Sequence, residues 1–394
     1  MRFTWFGLYC GLMLSISAFS TDILLPALLD MSRDLGVSAQ QLQMSVPAYM
    51  VGLGLAHPLF GVLADRIGRK QAIFVGLALY MLGTIVMALS SQIGAILAAR
   101  VLQGFGAAAA PVVCRAMIRD RFRGNDLAQN MAIASMFFAL GPMIAPLLGH
   151  VINQLAGWRA LFGFLLLFSM FMFWATARQA ETLPQGQRRK IEWQSIRADV
   201  AAIFSNQQSR YFIIASAFCS ATILSFLTQA PIVYERDLGA SSGLFAKMFA
   251  ISATGIIIGQ IINHRLIALI GALRSALAAS MLIALTAIII LVTSLTGALT
   301  LIGLSALMFV FNMAYLIVYS NFVSLALDPH GERAGLAAAL FGLVGYIGGS
   351  LLAASIAWLS HGQLKGWSMG FAVLAVVILF SCLHWQRGVT PANG

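Results

Sequence analysis

The 394-residue sequence is poor in charge: nine percent of its residues are Asp, Glu, Lys or Arg. Soluble domains carry roughly 25%, so a water-soluble particle of this length is excluded. The sequence also lacks a C-x-x-C pair, a His/Cys cluster with metal-ligand spacing and a nucleophile–base arrangement, which leaves no metal site or enzyme chemistry to argue for. No P-loop occurs, so ATP drive is not expected. The four cysteines, Cys10, Cys114, Cys219 and Cys382, lie in or at the ends of apolar runs and are expected to be free buried thiols. No small-x-small cleavage site follows the first apolar run, which is therefore read as an uncleaved membrane span.

What is abundant is apolar surface. Sixty percent of the residues are hydrophobic and the mean hydropathy is +0.88. At about 20 residues per spanning helix and about 10 per connection, the length holds roughly twelve spans. Apolar runs fall near 4–28, 41–63, 72–90, 94–117, 128–152 and 158–177, then near 210–234, 245–268, 274–294, 297–325, 334–359 and 367–386. With the N-terminus in the cytoplasm, 18 of the 24 Lys and Arg residues fall on the cytoplasmic side. The positive-inside rule thus places both termini in the cytoplasm. The net charge of +11 is accounted for by these short basic clusters, which contact lipid headgroups rather than nucleic acid.

The longest stretch without an apolar run, 178–209, separates six spans from six. It carries Arg188, Arg189 and Lys190 and reads as a cytoplasmic linker with an amphipathic segment around 191–204. The expected organisation is an N-terminal six-helix bundle over 1–177, the linker, and a C-terminal bundle over 210–394. The halves echo each other: Gly61-Val-Leu-Ala-Asp65-Arg66 follows the second span and Gly259-Gln-Ile-Ile-Asn263-His264-Arg265 follows the eighth. The register supports a duplicated six-helix unit, an architecture common among transporters.

Three motifs lie in the first half. Between the second and third spans stands Gly61-Val62-Leu63-Ala64-Asp65-Arg66-Ile67-Gly68-Arg69-Lys70. Its glycines permit a sharp reversal and close helix approach. Asp65 can face helix termini or arginines, while Arg66, Arg69 and Lys70 hold the cytoplasmic side. The fourth span carries Arg100-Val101-Leu102-Gln103-Gly104-Phe105-Gly106-Ala107-Ala108. An arginine within a span must face water, a partner or carbonyls, or else snorkel to the interface. The fifth span carries Gly141-Pro142-Met143-Ile144-Ala145-Pro146-Leu147-Leu148-Gly149, whose prolines remove backbone hydrogen bonds and whose glycines allow close packing.

These motifs resemble those of the major facilitator superfamily: its loop signature, the R-x-x-Q-G-x-G-A-A element of its proton-coupled members, and the antiporter motif of its drug exporters. His150 stands where that antiporter motif often has a second glycine. In the first span, Ser20-Thr21-Asp22-Ile23-Leu24-Leu25-Pro26-Ala27-Leu28 resembles the first-helix motif of the bicyclomycin and chloramphenicol resistance branch (Bcr/CflA) of the twelve-span drug:proton antiporters. The resemblance implies an all-α integral membrane protein with twelve transmembrane helices in two six-helix bundles. It implies a monomer of the bacterial inner membrane with no enzymatic activity and no cofactor, driven by the proton gradient. The function it implies is proton-coupled efflux of small amphiphilic drugs by alternating access.

Asp22 is the single acid placed within a span. Burial disfavours its ionised form and a neighbouring Arg100 favours it, which are the opposed influences a proton-coupling carboxylate requires. Alternatively, it caps the helix at the interface or pairs with Arg33. Arg115, Arg119 and Asp120 end the fourth span and are expected to pair with the Asp65 loop as a gate. Polar and aromatic residues within spans mark a substrate cavity: Tyr49 and Gln103 in the first half, Phe226 and Gln229 in the seventh span, and Asn312, Tyr315 and Tyr319 on one face of the tenth. Helix–helix hydrogen bonding is the alternative for these. Within the same fold, a dedicated exporter of an endogenous metabolite such as a siderophore is the second reading, followed by an uptake symporter; a non-transporting receptor is the alternative of a different class.

Overall fold

The computed structural model describes residues 4–188 and 193–389, and among these every regular element is helical. Arg189, Lys190 and Ile191, singled out above in the linker, lie outside the described residues. Twelve helical segments are long and apolar enough to cross a membrane. A lipid environment leaves backbone amides and carbonyls no water to bond, so such apolar runs satisfy them within helices.

The chain divides into two compact units, Met1–Arg197 and Ala198–Gly394. The first unit holds span 1 (Trp5–Leu35), span 2 (Ala39–Ile67), span 3 (Arg69–Leu89), span 4 (Ile93–Arg121), span 5 (Gly124–Ala156) and span 6 (Arg159–Ala177). The second holds span 7 (Gln207–Asp237), span 8 (Ser242–Ile270), span 9 (Ala272–Thr296), span 10 (Leu301–Gly331), span 11 (Ala334–Leu359) and span 12 (Leu364–Arg387). Within each unit, the end on which its first span begins is termed the N-terminal face.

Polar residues start several spans. Ser38 caps the helix leading into span 2 in a capping box with Gln41. Asn206, Ser241 and Thr300 accept from the backbone amides of Ser209, Leu244 and Gly303 at the starts of spans 7, 8 and 10. Each satisfies an amide that the first helical turn leaves unpaired.

Spans 1 and 7 each break at a proline. Pro26 has no N–H to give to the carbonyl four residues earlier. The α-helix Trp5–Asp22 ends there, and a 3₁₀ turn, Leu25–Ala27, leads into the helix Leu28–Leu35. Pro231 ends the α-helix of span 7, and a wider π turn, Ile232–Asp237, follows.

The close helix pair of the first unit is span 2 against span 4. A Cβ on Gly52 would lie 2.0 Å from the Val101 carbonyl oxygen, and one on Gly104 would lie 1.9 Å from that of Tyr49. Only glycine lets two backbones approach this far, as small residues do at helix pairs in membranes. All four cysteines are free and buried. In the helix Trp193–Ser205, Ile203 is buried, and within the second unit Asp199 pairs with Arg333 at 2.8 Å.

Candidate functional site

The helix of span 1 ends on Asp22, which is buried at 4% exposure. Arg100 reaches the same interior from span 4 and is fully buried, so it does not snorkel to an interface. Its guanidinium is held by backbone carbonyls. Nε donates to the Ser45 carbonyl at 3.1 Å, and Nη1 donates to the Ser20 carbonyl at 3.0 Å and to Gln103 Oε1 at 2.7 Å. The group lies 4.5 Å from the centroid of the Tyr49 ring, a cation–π contact strengthened by exclusion of water.

The network closes through span 3. Gln103 Nε2 donates to Thr84 Oγ1 at 2.9 Å, and Thr84 donates to the Tyr80 carbonyl at 2.7 Å. The Tyr80 hydroxyl shares a 2.6 Å hydrogen bond with Ser20 Oγ, two residues before Asp22. Spans 1, 2, 3 and 4 therefore all hold the arginine. Arg100 Nη2 is buried without a hydrogen-bond partner, and among the described residues no direct ion pair joins Asp22 to Arg100. Arg33, the alternative partner, pairs with Asp30 at 3.3 Å instead.

The motif of span 5 packs on the same stretch of span 1. A Cβ on Gly141 would lie 2.5 Å from that of Ala18, and one on Gly149 would lie 2.1 Å from the Ile23 carbonyl oxygen. Gly149 thus fits the backbone beside Asp22. Pro142 and Pro146 lie inside a helix that runs from Gly124 to Ala156. His150 is half-buried beside Gly149.

At the N-terminal face the 61–70 loop forms a second cluster. Arg69 bonds Asp65 one turn before it and, through Nε, Asp120 of span 4 at 3.0 Å. Arg66, Arg115 and Arg119 are exposed, and the ion pairs of this cluster do not include them, contrary to the expected pairing of Arg115 and Arg119 with the loop. Gly61 does not serve a close helix approach either, since a Cβ there would meet only Val112 at 3.9 Å. Gly68 carries that requirement, with φ of 105° and a Cβ position 2.4 Å from Glu181 Oε2. Glu181, just past span 6, accepts from the backbone amides of Arg69 at 3.0 Å and Lys70 at 3.2 Å. Lys70 Nζ donates in return to the carbonyls of Ala177 and Gln179 at 2.8 and 2.9 Å.

The remaining predicted residues lie in the second unit and make contacts there. Phe226 is buried, parallel to Phe249 at 5.7 Å between centroids. Gln229 Nε2 donates to Ser360 Oγ at 3.1 Å, and Asn312 Nδ2 donates to the Ser252 carbonyl at 3.1 Å. Tyr315 and Tyr319 are half-buried, 5.8 Å apart, in a run of rings from Phe311 to Phe341. Asn312, expected on the cavity face with these tyrosines, makes a helix–helix hydrogen bond. Sequence reasoning missed Ser20, Tyr80, Thr84 and Glu181. The i, i+4 spacing of Tyr80 and Thr84, two polar residues on one turn of an apolar span, was the available signal.

Two six-helix units, with a buried acid and arginine in one of them, define a polytopic membrane transporter. The chain belongs to the major facilitator superfamily, whose family model matches residues 10–353. It is 30% identical over 348 residues to the uncharacterized MFS-type transporter YdgK of Bacillus subtilis, covering 87% of this chain and 86% of that one. It is 26% identical over 359 residues to the bicyclomycin resistance protein homolog of Haemophilus influenzae, covering 89% and 88%. Its fold is similar to that of a D-xylose–proton symporter, with a TM-score of 0.76 at 15% identity over 95% of this chain and 97% of the other.

Proposed function

We propose that this transporter exports small amphiphilic drugs across the bacterial inner membrane in exchange for protons, by alternating access. The observation that carries the reading is the burial of Asp22 at 4% exposure beside an arginine that four spans hold in place. The name of the Haemophilus relative supports the drug class, and the glycine of the span 5 motif against the backbone beside Asp22 supports exchange. In this reading both termini and the N-terminal faces are cytoplasmic, and the protein works as a monomer.

Asp22 takes a proton from the outside and releases it inward. When Asp22 is neutral, the Arg100 charge loses its counter-charge, and the buried Nη2 hydrogen is available to an acceptor on the substrate. When Asp22 is ionised, Arg100 is drawn to it. Substrate and proton therefore compete for one cation, which is what obligatory exchange requires. This reading assigns substrate contact to Tyr49 and Gln103 within the first unit and to Phe226, Gln229, Tyr315 and Tyr319 within the second; Asn312 is left out because its amide is spent on the Ser252 carbonyl. The gradient is sufficient to drive the cycle, since one charge crossing 100 mV releases about 2.3 kcal/mol before any pH difference is added.

The test is proton movement in proteoliposomes holding an inside-acid gradient, with wild type and Asp22→Asn in parallel. Amphenicols, bicyclomycin and lipophilic cations are added one at a time. Alkalinisation of the lumen in wild type and its loss in Asp22→Asn is the expected result. Equal responses would remove Asp22 as the carrier. Silence towards every drug from folded protein would favour a dedicated metabolite exporter.

A further inference from the structure

Glu181 lies outside the three motifs, yet it makes more hydrogen bonds to the 61–70 loop and its own turn than any other carboxylate in the N-terminal-face cluster. Its Oε1 accepts from the amides of Arg69, Thr182 and Leu183 at 3.0, 2.9 and 3.0 Å, and its Oε2 accepts from the Lys70 amide at 3.2 Å. Arg69 and Lys70 begin the helix of span 3, whose N-cap position is Gly68 and whose first amides have no partner within the helix. A carboxylate at that position satisfies them and complements the positive end of the helix dipole. The exchange is reciprocal: Lys70 Nζ covers the carbonyls of Ala177 and Gln179 at the end of span 6. Thr182 then donates to Asp120 Oδ2 at 3.3 Å, joining this turn to the Asp65–Arg69–Asp120 cluster.

The connector between the units therefore starts from a fixed point. Its first turn is bonded to the loop of the first unit. Any movement of the 61–70 loop during a transport cycle therefore falls first on Glu181.

We propose that Glu181 is a positioning residue of the transport cycle: its carboxylate caps span 3, holds the 61–70 loop in its locked geometry, and links that loop to the connector. The transport part of this inference rests on the exporter reading, whereas the capping part does not. Since the donors are backbone amides, no exchange of side-chain charge can replace it. Since Gly68 leaves the space that the carboxylate fills, a methyl group there must push the carboxylate out.

The experiment compares wild type, Glu181→Gln, Gly68→Ala, the double variant and the exchange Glu181→Lys with Lys70→Glu, each as full-length protein, in lipid nanodiscs for hydrogen exchange and in proteoliposomes for turnover. Hydrogen exchange is followed at the start of span 3, with substrate-driven turnover measured in parallel. Glu181→Gln is expected to speed exchange of the Arg69 and Lys70 amides by at least about tenfold while exchange within the other spans stays unchanged. Turnover is expected to change by about fivefold or more with KM held within about twofold, the signature of a step other than substrate binding. Gly68→Ala should reproduce both effects, and the double variant should show less than their sum, because both act on one contact.

Unaltered exchange in Glu181→Gln and Gly68→Ala would overturn the proposal. Recovery by the charge exchange would also overturn it, by showing that side-chain pairing is what counts. Faster exchange with wild-type turnover would reduce Glu181 to a structural cap and overturn the positioning role. A wild type in which no drug moves protons would instead overturn the exporter reading, leaving the exchange comparison to decide the cap.

Discussion

In the first unit span 2 meets span 4 where Gly52 and Gly104 face the carbonyls of Val101 and Tyr49; in the second, span 8 meets span 10 where Gly255 and Gly259 face those of Phe309 and Met313. A Cβ on Gly255 or Gly259 would lie 2.3 or 2.2 Å from the facing oxygen, against 2.0 and 1.9 Å in the first unit. At the N-terminal face the units diverge. Where the first unit has Asp65, Arg69 and Asp120, the second has Asn263 donating to Ser320 at 3.0 Å and accepting from Asn321 at 2.8 Å. Among the described residues, every buried Asp and Arg belongs to the first unit. Span 1 overwinds into a 3₁₀ turn after Asp22, whereas span 7 underwinds into a π turn. The two units thus share close backbone contacts, whereas among the described residues the buried charges lie in one. Close backbone approach depends on glycine alone, so it persists in either unit, while a buried charge persists only where carbonyls and a counter-charge surround it.

The largest expected effect comes from breaking that asymmetry at its centre. Arg100→Leu leaves Gln103 Oε1 and the carbonyls of Ser20 and Ser45 without their charged donor. Transport should fall by at least about 100-fold, equivalent to about 2.7 kcal/mol. Gln229→Leu, which removes a buried neutral hydrogen bond from span 7 of the second unit, should cost about 1 kcal/mol of stability. Measuring transport and thermal unfolding of both would sharpen the comparison, and equal losses would contradict it.

Glycine substitutions probe what the units share. Gly104→Val and Gly259→Val each force a side chain onto a facing carbonyl and should each lose about 3 kcal/mol or more. Yields of folded, monodisperse protein should fall alike for both, and a benign Gly259→Val would show that the second unit does not need its close approach. The smallest effect is expected from Asn263→Asp, which gives the second unit an acid without the arginine that serves Asp65. It removes one amide donor and should lower stability by about 1–2 kcal/mol. A stabilised variant in a thermal melt would show that the second cluster already holds a cation.

The twelve spans were legible because a bilayer demands about 20 apolar residues per helix, whereas the breaks at Pro26 and Pro231 emerged only with the structure. Asp22 and Arg100 stood out because charges within spans are rare. Their surroundings did not. Thr84 and Tyr80 on span 3 and Ser20 on span 1 are ordinary polar residues, and their partners on other helices stand 19 and 60 positions away in the chain. Glu181 was read as part of a linker because its partners, 111 and 112 positions back, are backbone amides that carry no residue identity. The register that matched Gly61 with Gly259 was real in the sequence, yet only Gly259 meets a facing carbonyl.

The sequence by itself determined the membrane class, the twelve helices and the identity of the buried charges. These follow from local rules: the apolar length that a bilayer requires and the cost of an unpaired charge. The tertiary structure alone decided which carbonyls hold Arg100, which loop charges pair and which stay exposed, and that Glu181 caps span 3. Those outcomes depend on distances between helices, which are set by how closely backbones pack and are written in no single stretch of chain.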